Sequence, residues 1–281
     1  MLVSSKEMLN KARQNNYAIA AFNIHNLETL KATVEAAEEE RAPLILQTTP
    51  GTCEYAGIDY LVAMAHTASN KADIPIALHL DHGNSLDLAI KCIDAGYTSV
   101  MIDGSMLPFN ENVSLVKQVV EYAHKKQVQV EAELGHISGV EENISSSHEV
   151  LTDPKEAAEF VNRTGVDSLA IAVGTAHGVY KGKPEIHFDI IQNIRQLVNV
   201  PLVLHGCSGV PEEDVKQAIK CGICKINIAT DIKIAFADEL KKFFVSQPDE
   251  TDPRKYFKPA IKAVKDVVKS KIHMAESYNK A

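Results

Sequence analysis

The segment IALHLDHGN, residues 76–84, starts as an apolar strand and ends in a cluster of ionisable side chains. Its first residues would suit the middle of a parallel sheet, where both faces are buried. His79, Asp81 and His82 follow within a few positions, and such groups are costly to bury unless something pairs with them. The segment therefore predicts a buried strand that delivers polar side chains to a site at its end.

Short strand-like runs alternate with helical patterns from one end of the chain to the other. The predicted strands cover residues 17–23, 43–48, 74–81, 99–104, 128–135, 167–174, 201–206 and 224–230. Eight strands alternating with helices over 281 residues predict a (β/α)8 TIM barrel. We expect a single domain over residues 1–281, with extra helices at both termini.

An open doubly wound sheet is the alternative fold, because alternation of strands and helices does not by itself close a barrel. A nucleotide-binding sheet of that type would carry a GxGxxG turn after its first strand. This chain reads FNIHN (22–26) at that place, which favours the barrel.

Composition narrows the classes of protein to consider. The chain has 29 Lys and Arg against 37 Asp and Glu, a net charge of −8, which argues against a nucleic-acid partner. No apolar run approaches the ~20 residues of a membrane span, and the N-terminus is too polar for a signal peptide. Five cysteines, an odd number, argue against a complete disulfide framework and favour a cytoplasmic location.

Two of the cysteines, Cys221 and Cys224, have the spacing found in redox and zinc motifs. The chain has no second pair with this spacing to complete a four-thiolate zinc site, and Gly222 suits the end of a helix. We therefore interpret both cysteines as packing residues.

Histidines lie at or just beyond the ends of the third, sixth and seventh predicted strands, at His82, His177 and His205. A barrel brings these strand ends to one rim, where active sites of this fold are built. Three imidazoles around an open fourth position suit a catalytic zinc ion, and His79 is a candidate partner for one of them. The other histidines show no such correspondence and are interpreted as ordinary residues: His25, His66, His124, His136, His148, His187 and His273.

Carboxylates at the strand ends are the next candidates. Asp81 directly precedes His82, so it either acts on a substrate held by the metal or orients an imidazole. Asp103 and Glu133 end neighbouring strands, where they could contact the metal or its ligands. These two residues are therefore candidates for a second metal position.

A long connection over residues 135–154 follows the fifth predicted strand and shows no packing pattern. Long loops above a barrel rim commonly act as lids. Glu141 and Glu142 lie on this loop, but surface glutamates in loops usually have no specific role, so the residues alone assign a function to neither.

The last two strand ends have the features of a phosphate site. HGCSG (205–209) and NIAT (227–230) offer backbone N–H groups and hydroxyls, and each opens into a helix whose N-terminus favours anions. Lys181 and Lys183 follow the sixth strand and could add positive charge. The pattern predicts a phosphorylated small metabolite as the ligand.

Six motifs, in this order, resemble those of the class II, metal-dependent ketose-bisphosphate aldolases. They are HLDHGNS (79–85), MIDGS (101–105), EAELG (131–135), VGTAHGVYKG (173–182), VLHGCSG (203–209) and KINIAT (225–230). The resemblance covers essentially the whole chain, including DPRKYFKPA (252–260). Within the family, AFNIHN (21–26), GTAHG and NIAT are most similar to the tagatose-bisphosphate branch.

The resemblance implies a zinc ion on the three strand-end histidines, with Asp81 as the catalytic proton donor. Asp103 and Glu133 match acidic positions near the metal. Glu141 matches the loop carboxylate that moves the proton on the dihydroxyacetone phosphate carbon. The loop spacing differs from that of some members, so Glu142 remains the alternative for this role.

The resemblance also implies which residues hold dihydroxyacetone phosphate. They are Gly178, Lys181, Gly206, Cys207, Ser208, Asn227, Ile228, Ala229 and Thr230. Cys207 stands where the family often has Gly or Ala, and this is tolerable because the position mainly offers its backbone. A monovalent cation near the phosphate is a further implication.

The expected reaction is the reversible cleavage of D-tagatose 1,6-bisphosphate to dihydroxyacetone phosphate and glyceraldehyde 3-phosphate, by a homodimer or homotetramer. D-fructose 1,6-bisphosphate is the alternative substrate, because the two sugars differ only at C4. Ala229 stands where many fructose-bisphosphate members carry Asp or Asn, which favours tagatose. The chain could instead be a non-catalytic companion subunit, or an active subunit that needs one, but a non-catalytic subunit need not keep the zinc ligands.

A Schiff-base lysine, as in class I aldolases, would be a different mechanism. No lysine stands at the carboxyl end of a predicted strand. Lys225 lies at the beginning of the eighth strand, and we expect it to face the opposite rim.

Overall fold

Eight parallel strands close a barrel in the computed structural model, which describes residues 1–141, 144–146, 150–180 and 182–281. The strands among these residues are β1 (Ile19–Asn23), β2 (Leu44–Thr48), β3 (Ile76–Gly83), β4 (Ser99–Ile102), β5 (Gln129–Leu134), β6 (Ser138–Glu141), β7 (Ile144–Ser146), β8 (Ser168–Ile171), β9 (Ala176–His177), β10 (Leu202–Leu204) and β11 (Ile223–Ile228). The barrel order is β1-β2-β3-β4-β5-β8-β10-β11, and β11 pairs with β1. The TIM barrel is confirmed, and the open sheet is wrong because β1 and β11 close the ring.

Helices connect the strands and surround the barrel. They are α1 (Ser5–Asn15), α2 (Leu27–Glu39), α3 (Pro50–Ala56), α4 (Ile58–Lys71), α5 (Leu86–Ala95), α6 (Phe109–Lys125), α7 (Pro154–Thr164), α8 (Phe188–Leu197), α9 (Glu212–Cys221), α10 (Thr230–Ser246) and α11 (Pro253–Met274). Capping residues determine where the helices begin and end. In α5, for example, the Ser85 side chain accepts a hydrogen bond from the Leu88 N–H at the start, and Gly96 adopts φ 114° at the end. None of the described helices is long and apolar enough to cross a membrane.

The amino-terminal helix α1 closes the bottom of the barrel. Met8, Leu9 and Ala12 pack against Ile19 and Ile45 at the amino ends of the strands. Buried apolar side chains also fill the layer between strands and helices. Because the bottom is closed, the carboxyl ends of the strands form the rim that is open to a ligand.

Cys221 and Cys224 support this packing. Both are buried as free thiols, Cys221 at the end of α9 and Cys224 in the cluster beneath the barrel. Burial raises the pKa of Cys224 to about 11, which keeps the thiol protonated and unreactive. Their interpretation as packing residues is confirmed.

A small second sheet lies over the rim, within the connection for which the sequence showed no packing pattern. Strands β6 and β7 form an antiparallel hairpin, and β6 also pairs in parallel with β9. Gly139 lies opposite His177, and a Cβ atom on Gly139 would lie 2.6 Å from the His177 nitrogen. Only glycine therefore allows this pairing, which ties the hairpin to the segment that carries His177.

Candidate active site

The three strand-end histidines come together at the rim. His82 lies on β3, His177 on β9 and His205 directly after β10, and their donor atoms lie within 4.8 Å of one another. The ring centroids are 4.7 Å apart for His82 and His205 and 4.9 Å apart for His82 and His177. Three imidazoles gathered in this way could hold a metal ion and leave a fourth position for a substrate.

The ring nitrogens of His82 and His205 indicate how a metal would be held. His82 Nδ1 lies 2.9 Å from Asp103 Oδ2, and His205 Nε2 lies 3.0 Å from Glu131 Oε1. If each of these nitrogens donates its proton to its carboxylate, His82 Nε2 and His205 Nδ1 both carry lone pairs. Those two atoms lie 2.9 Å apart, an arrangement that is repulsive without a cation nearby. The residues therefore fit a metal ion.

A bulge in β3 turns His82 into the site. Leu80 pairs with Val100 but Gly83 pairs with Ile102, so Asp81 and His82 share one position along the neighbouring strand. His82 adopts φ 48°, an uncommon left-handed conformation for a residue with a side chain. Regular alternation would send these two side chains to opposite faces of the sheet. The bulge allows both to face the site.

Asp81 is enclosed by amide groups. Its Oδ2 accepts hydrogen bonds from Asn23 Nδ2 at 2.9 Å and Gln47 Nε2 at 3.1 Å, and its Oδ1 accepts one from Asn227 Nδ2 at 3.0 Å. The residue is only 1% exposed. These donors hold the carboxylate in a fixed orientation at the edge of the small cavity that is described below. Asn23 and Gln47 lie at the carboxyl ends of β1 and β2, and a polar residue at the end of an apolar strand is the sequence signal that could find them.

Asp103 and Glu133 form a second possible metal group with His82. Ligand atoms of the three residues lie within 4.8 Å of one another. Burial raises the pKa of the Asp103 carboxyl, but the hydrogen bond and charge of His82 together with hydrogen bonds from Ser105 outweigh burial and hold this pKa well below its ordinary value. Asp103 is therefore a carboxylate that can orient His82 or ligate a metal.

A buried ion pair lies beneath His205. Lys225 Nζ is 2.9 and 3.1 Å from the two oxygens of Glu131, and both residues are 1% exposed. Burial alone would raise the pKa of Glu131, but Lys225 and the hydrogen bond to His205 hold it well below its ordinary value. The expectation that Lys225 faces the opposite rim is wrong. Its side chain crosses the barrel interior and fixes the carboxylate that holds His205.

His79 belongs to the same interior layer. Its Nδ1 is 2.8 Å from Ser99 Oγ, and its Nε2 is 3.4 Å from Lys225 Nζ. Burial, together with the positive charge of Lys225, lowers its pKa well below the ordinary value, so the ring is neutral. Through its hydrogen bond to Lys225, His79 supports the ion pair beneath His205.

Two cavities flank the histidines. The small cavity, of about 50 Å³, is bounded by Asp81, His177, His205, Gly206, Ser208, Asn227, Thr230 and Lys233 among others. The large cavity, of about 170 Å³, is bounded by Thr49, Glu54, His82, Asp103, Met106, Glu133, His136 and His177 among others. His177 lines both, so a ligand held by the histidines would reach into the two cavities.

Comparison with known proteins identifies the family. A sequence model of the class II fructose-bisphosphate aldolases matches residues 3–280. The chain belongs to the class II aldolases. The family resemblance of its motifs is thus confirmed, and the protein is a carbon–carbon lyase of a metal-dependent class.

Relatives of this aldolase include the D-tagatose-1,6-bisphosphate aldolase subunit GatY of Klebsiella oxytoca, 50% identical over 275 residues and 97% of both chains. The crystal structure of the YdjI aldolase from Escherichia coli K12 is 37% identical, with a TM-score of 0.90 over the whole of both chains. A fructose-bisphosphate aldolase of Campylobacter jejuni, 23% identical over 100% of this chain and 97% of that one, has a TM-score of 0.83 and shows the same fold.

The residues predicted for dihydroxyacetone phosphate fall into two groups in this aldolase. Those that line the small cavity are Gly178, Gly206, Ser208, Asn227, Ala229 and Thr230. Cys207 and Ile228 are fully buried behind it, and the Cys207 N–H donates to the Asn227 carbonyl. Burial raises the pKa of the Cys207 thiol to about 12, so it is not a nucleophile.

The structure does not place the two lysines that were expected near the phosphate, Lys181 and Lys183, in the small cavity. Lys181 lies outside the described residues, and Lys183 pairs with Asp214 at 3.0 Å on an exposed surface. Lys233, in the first turns of α10, lines the small cavity although the sequence did not single it out. Its only sequence signal is its position just after the NIAT motif.

The loop glutamates are placed only in part. Glu141 is the last residue of β6, the strand that pairs with the His177 segment, while Glu142 lies outside the described residues. His136, which was interpreted as an ordinary histidine, lines the large cavity instead. Glu131 was likewise missed, because nothing in the sequence separates it from the nearby Glu133.

Proposed function

We propose that this aldolase uses zinc to cleave D-tagatose 1,6-bisphosphate reversibly into dihydroxyacetone phosphate and glyceraldehyde 3-phosphate. The observation that carries the chemistry is the pair of facing nitrogens on His82 and His205, with His177 completing three donors. The identity of 50% to a tagatose-bisphosphate aldolase subunit supports the substrate. The catalytic unit is a single domain over residues 1–281.

Zinc on these imidazoles supplies a Lewis acid for the substrate carbonyl. Asp81 takes the proton of the C4 hydroxyl during cleavage and returns it during synthesis. Its three amide hydrogen bonds hold the carboxylate in one orientation for this transfer. Asp103 orients His82, and together with Glu133 it offers a second metal position.

Glu141 moves the proton on the carbon of dihydroxyacetone phosphate that forms the new bond. Support comes from its place at the end of β6, which pairs with the segment that carries His177. Glu142 is the alternative, one residue further along the loop.

The small cavity takes the phosphate of dihydroxyacetone phosphate. Ser208 and Thr230 bring hydroxyls, Gly206 brings close backbone, and Thr230 begins α10, whose amino end favours anions. Lys233 adds a positive charge at the same place. Lys181 and a monovalent cation near the phosphate complete the proposed binding site, with backbone from Gly178, Cys207 and Ile228.

Discrimination at C4 comes from the region around Ala229, which lines the small cavity beside Asn227. Replacement of the Asp or Asn of many fructose-bisphosphate members by Ala removes a hydrogen-bond partner. Such a loss changes specificity by about tenfold or more. Fructose 1,6-bisphosphate is therefore the second candidate substrate, cleaved less efficiently.

The active form is a cytoplasmic homodimer or homotetramer that acts on a small sugar phosphate. The word "subunit" in the name of the Klebsiella relative supports a companion subunit for this chain as well. The non-catalytic alternative is disfavoured because His82, His177, His205 and Asp81 are all present and close together.

The test is a side-by-side cleavage assay of the purified protein with both bisphosphates. We expect a higher kcat/KM for tagatose 1,6-bisphosphate, measurable cleavage of the fructose epimer, and loss of both activities in a strong chelator. Preference for fructose would overturn the substrate and leave the aldolase chemistry standing. Chelator-resistant cleavage would overturn the metal mechanism.

A further inference from the structure

His136 lines the large cavity with a buried ring that has no role in the chemistry described above. The residue is 9% exposed, and neither ring nitrogen has a hydrogen-bond partner among the described residues. An imidazole carries one donor and one acceptor when neutral, and burying both without partners is costly. A buried imidazole with both nitrogens unpartnered among the described residues is suited to hydrogen-bond a ligand in the cavity.

The backbone holds His136 firmly in place. Its N–H donates to the Val150 carbonyl at 2.8 Å, and its carbonyl accepts the Val150 N–H at 3.0 Å. The preceding Gly135 adopts φ 82°, and a Cβ atom there would lie 2.6 Å from Thr152 Oγ1 and 2.7 Å from the Val150 carbonyl oxygen. This tight turn at the foot of the hairpin fixes the point from which the ring enters the cavity.

The large cavity has a chemistry different from that of the small one. Glu54, Asp103 and Glu133 line it, and its described lining contains neither Lys nor Arg. Such surroundings disfavour a phosphate and favour neutral oxygens, which His136 can bind through one N–H and one lone pair. The cavity begins at His82 and His177, on the side of the histidines away from the proposed phosphate site.

We propose that His136 is a specificity-determining residue for the aldehyde half of the substrate, hydrogen-bonding its hydroxyl or carbonyl oxygen. This inference rests on the proposed function, because it takes the small cavity as the site of dihydroxyacetone phosphate. It assigns the second half of the sugar to the large cavity. The phosphate of that half points to the mouth of the cavity and away from the carboxylates.

Two reactions separate this role from others. Cleavage of the sugar requires both halves of the site, whereas exchange of a dihydroxyacetone phosphate proton with solvent requires no aldehyde. His136→Phe, in the zinc-loaded protein, should lower kcat/KM for cleavage by about tenfold or more and leave proton exchange within about twofold of wild type. His136→Gln keeps a donor and an acceptor and should recover part of the loss.

A matched control is His66→Phe, on an exposed face of α4, which should change neither reaction. Cleavage of tagatose 1-phosphate provides a second experiment, because this sugar lacks the 6-phosphate but keeps the hydroxyls. The His136→Phe loss should appear with the 1-phosphate and the 1,6-bisphosphate alike.

Three results would overturn the inference. An equal loss of exchange and cleavage would place His136 in the dihydroxyacetone phosphate half or in the metal site. Unchanged cleavage would show that the ring does not contact the aldehyde, and a loss confined to the bisphosphate would assign it to the phosphate. Exchange and cleavage by the wild-type protein test the proposed function separately, so the two failures are distinguishable.

Discussion

At the scale of single residues, the site depends on which atom each side chain presents. The outer nitrogens of His82 and His205 each meet a carboxylate, which leaves the inner nitrogens for a metal. Asp81 accepts hydrogen bonds from three amide groups. The same residue types in other orientations would give neither a metal site nor a base.

Asp81→Ala should nearly abolish cleavage, because it removes the group that takes the C4 hydroxyl proton. Loss of a general acid or base lowers the rate by about 10²–10⁴-fold. Zinc content, measured by metal analysis, should remain close to wild type because Asp81 is not among the proposed ligands. Loss of zinc in this variant would instead make Asp81 part of the metal site.

Lys225→Met should weaken zinc binding although Lys225 does not touch the metal. The substitution leaves Glu131 without its cation and loosens its hold on His205, and losses of this kind cost about 10–100-fold in metal affinity. Competition with a coloured chelator measures the affinity.

Two further variants control that experiment. Glu131→Gln combined with Lys225→Met removes both charges and should bind zinc better than Lys225→Met alone, because no unpaired charge stays buried. Lys241→Met removes an exposed lysine that pairs with Asp238 and should have no effect. Unchanged zinc affinity in Lys225→Met would contradict a positioning role.

At the scale of elements, the β6–β7 hairpin is joined to the segment that carries His177 by the parallel pairing of β6 with β9. Gly139 pairs with His177, so a shift of the hairpin would displace the backbone of this histidine. The proposed base, Glu141, ends the same strand.

Gly139→Ala should lower kcat by at least about tenfold, because its Cβ would collide with the backbone of His177 and push the hairpin away. Gly182→Ala is the matched control, since a Cβ atom there would meet nothing within 4 Å. Steady-state kinetics compare the two, and equal activities would show that the pairing is dispensable.

Glu141→Ala should stop exchange of the dihydroxyacetone phosphate proton with solvent, because the proposed role of this carboxylate is to move that proton. Glu142→Ala is the neighbouring control and should exchange at close to the wild-type rate. Isotope incorporation followed by NMR measures both. The reverse result would move the role one residue along the chain.

At the scale of the whole molecule, the proposed zinc ligands come from three separate parts of the barrel. His82, His177 and His205 are joined only through the fold, so a metal between them ties β3, β9 and the end of β10 together. A ligand that binds only the folded state stabilises it by mass action.

Removal of zinc should therefore lower the melting temperature as well as activity. Zinc at about a hundred times its Kd contributes about 2.7 kcal/mol, which corresponds to about 5 °C or more for a chain of this size. Calorimetry with and without a strong chelator measures the shift, and added zinc should reverse it. Asp81→Ala, which keeps all three ligands, should show the same shift, and an unchanged melting temperature would argue against a zinc site across these strands.

The sequence by itself determined the barrel and the composition of its rim. The repeated pairing of a β-rich run with a helical pattern is local information, and a parallel barrel places every strand end on one face. His82, His177 and His205 were therefore recognisable as a group, as was Asp81. The residues around the small cavity could be recognised because glycines and hydroxyls at helix starts suit phosphate.

Only the tertiary structure decided how these groups are used. The alternation of side chains along a strand does not predict the bulge that turns His82 inward. The extra residue of the bulge exists only relative to the pairing with the neighbouring strand. The path of Lys225 to Glu131 crosses the barrel interior, and the unpartnered ring of His136 depends on a turn fixed by Val150. Each of these features depends on a contact between segments that are distant in sequence. Local sequence patterns indicate which face a side chain lies on and how polar it is, but not how far it lies from a side chain on another segment.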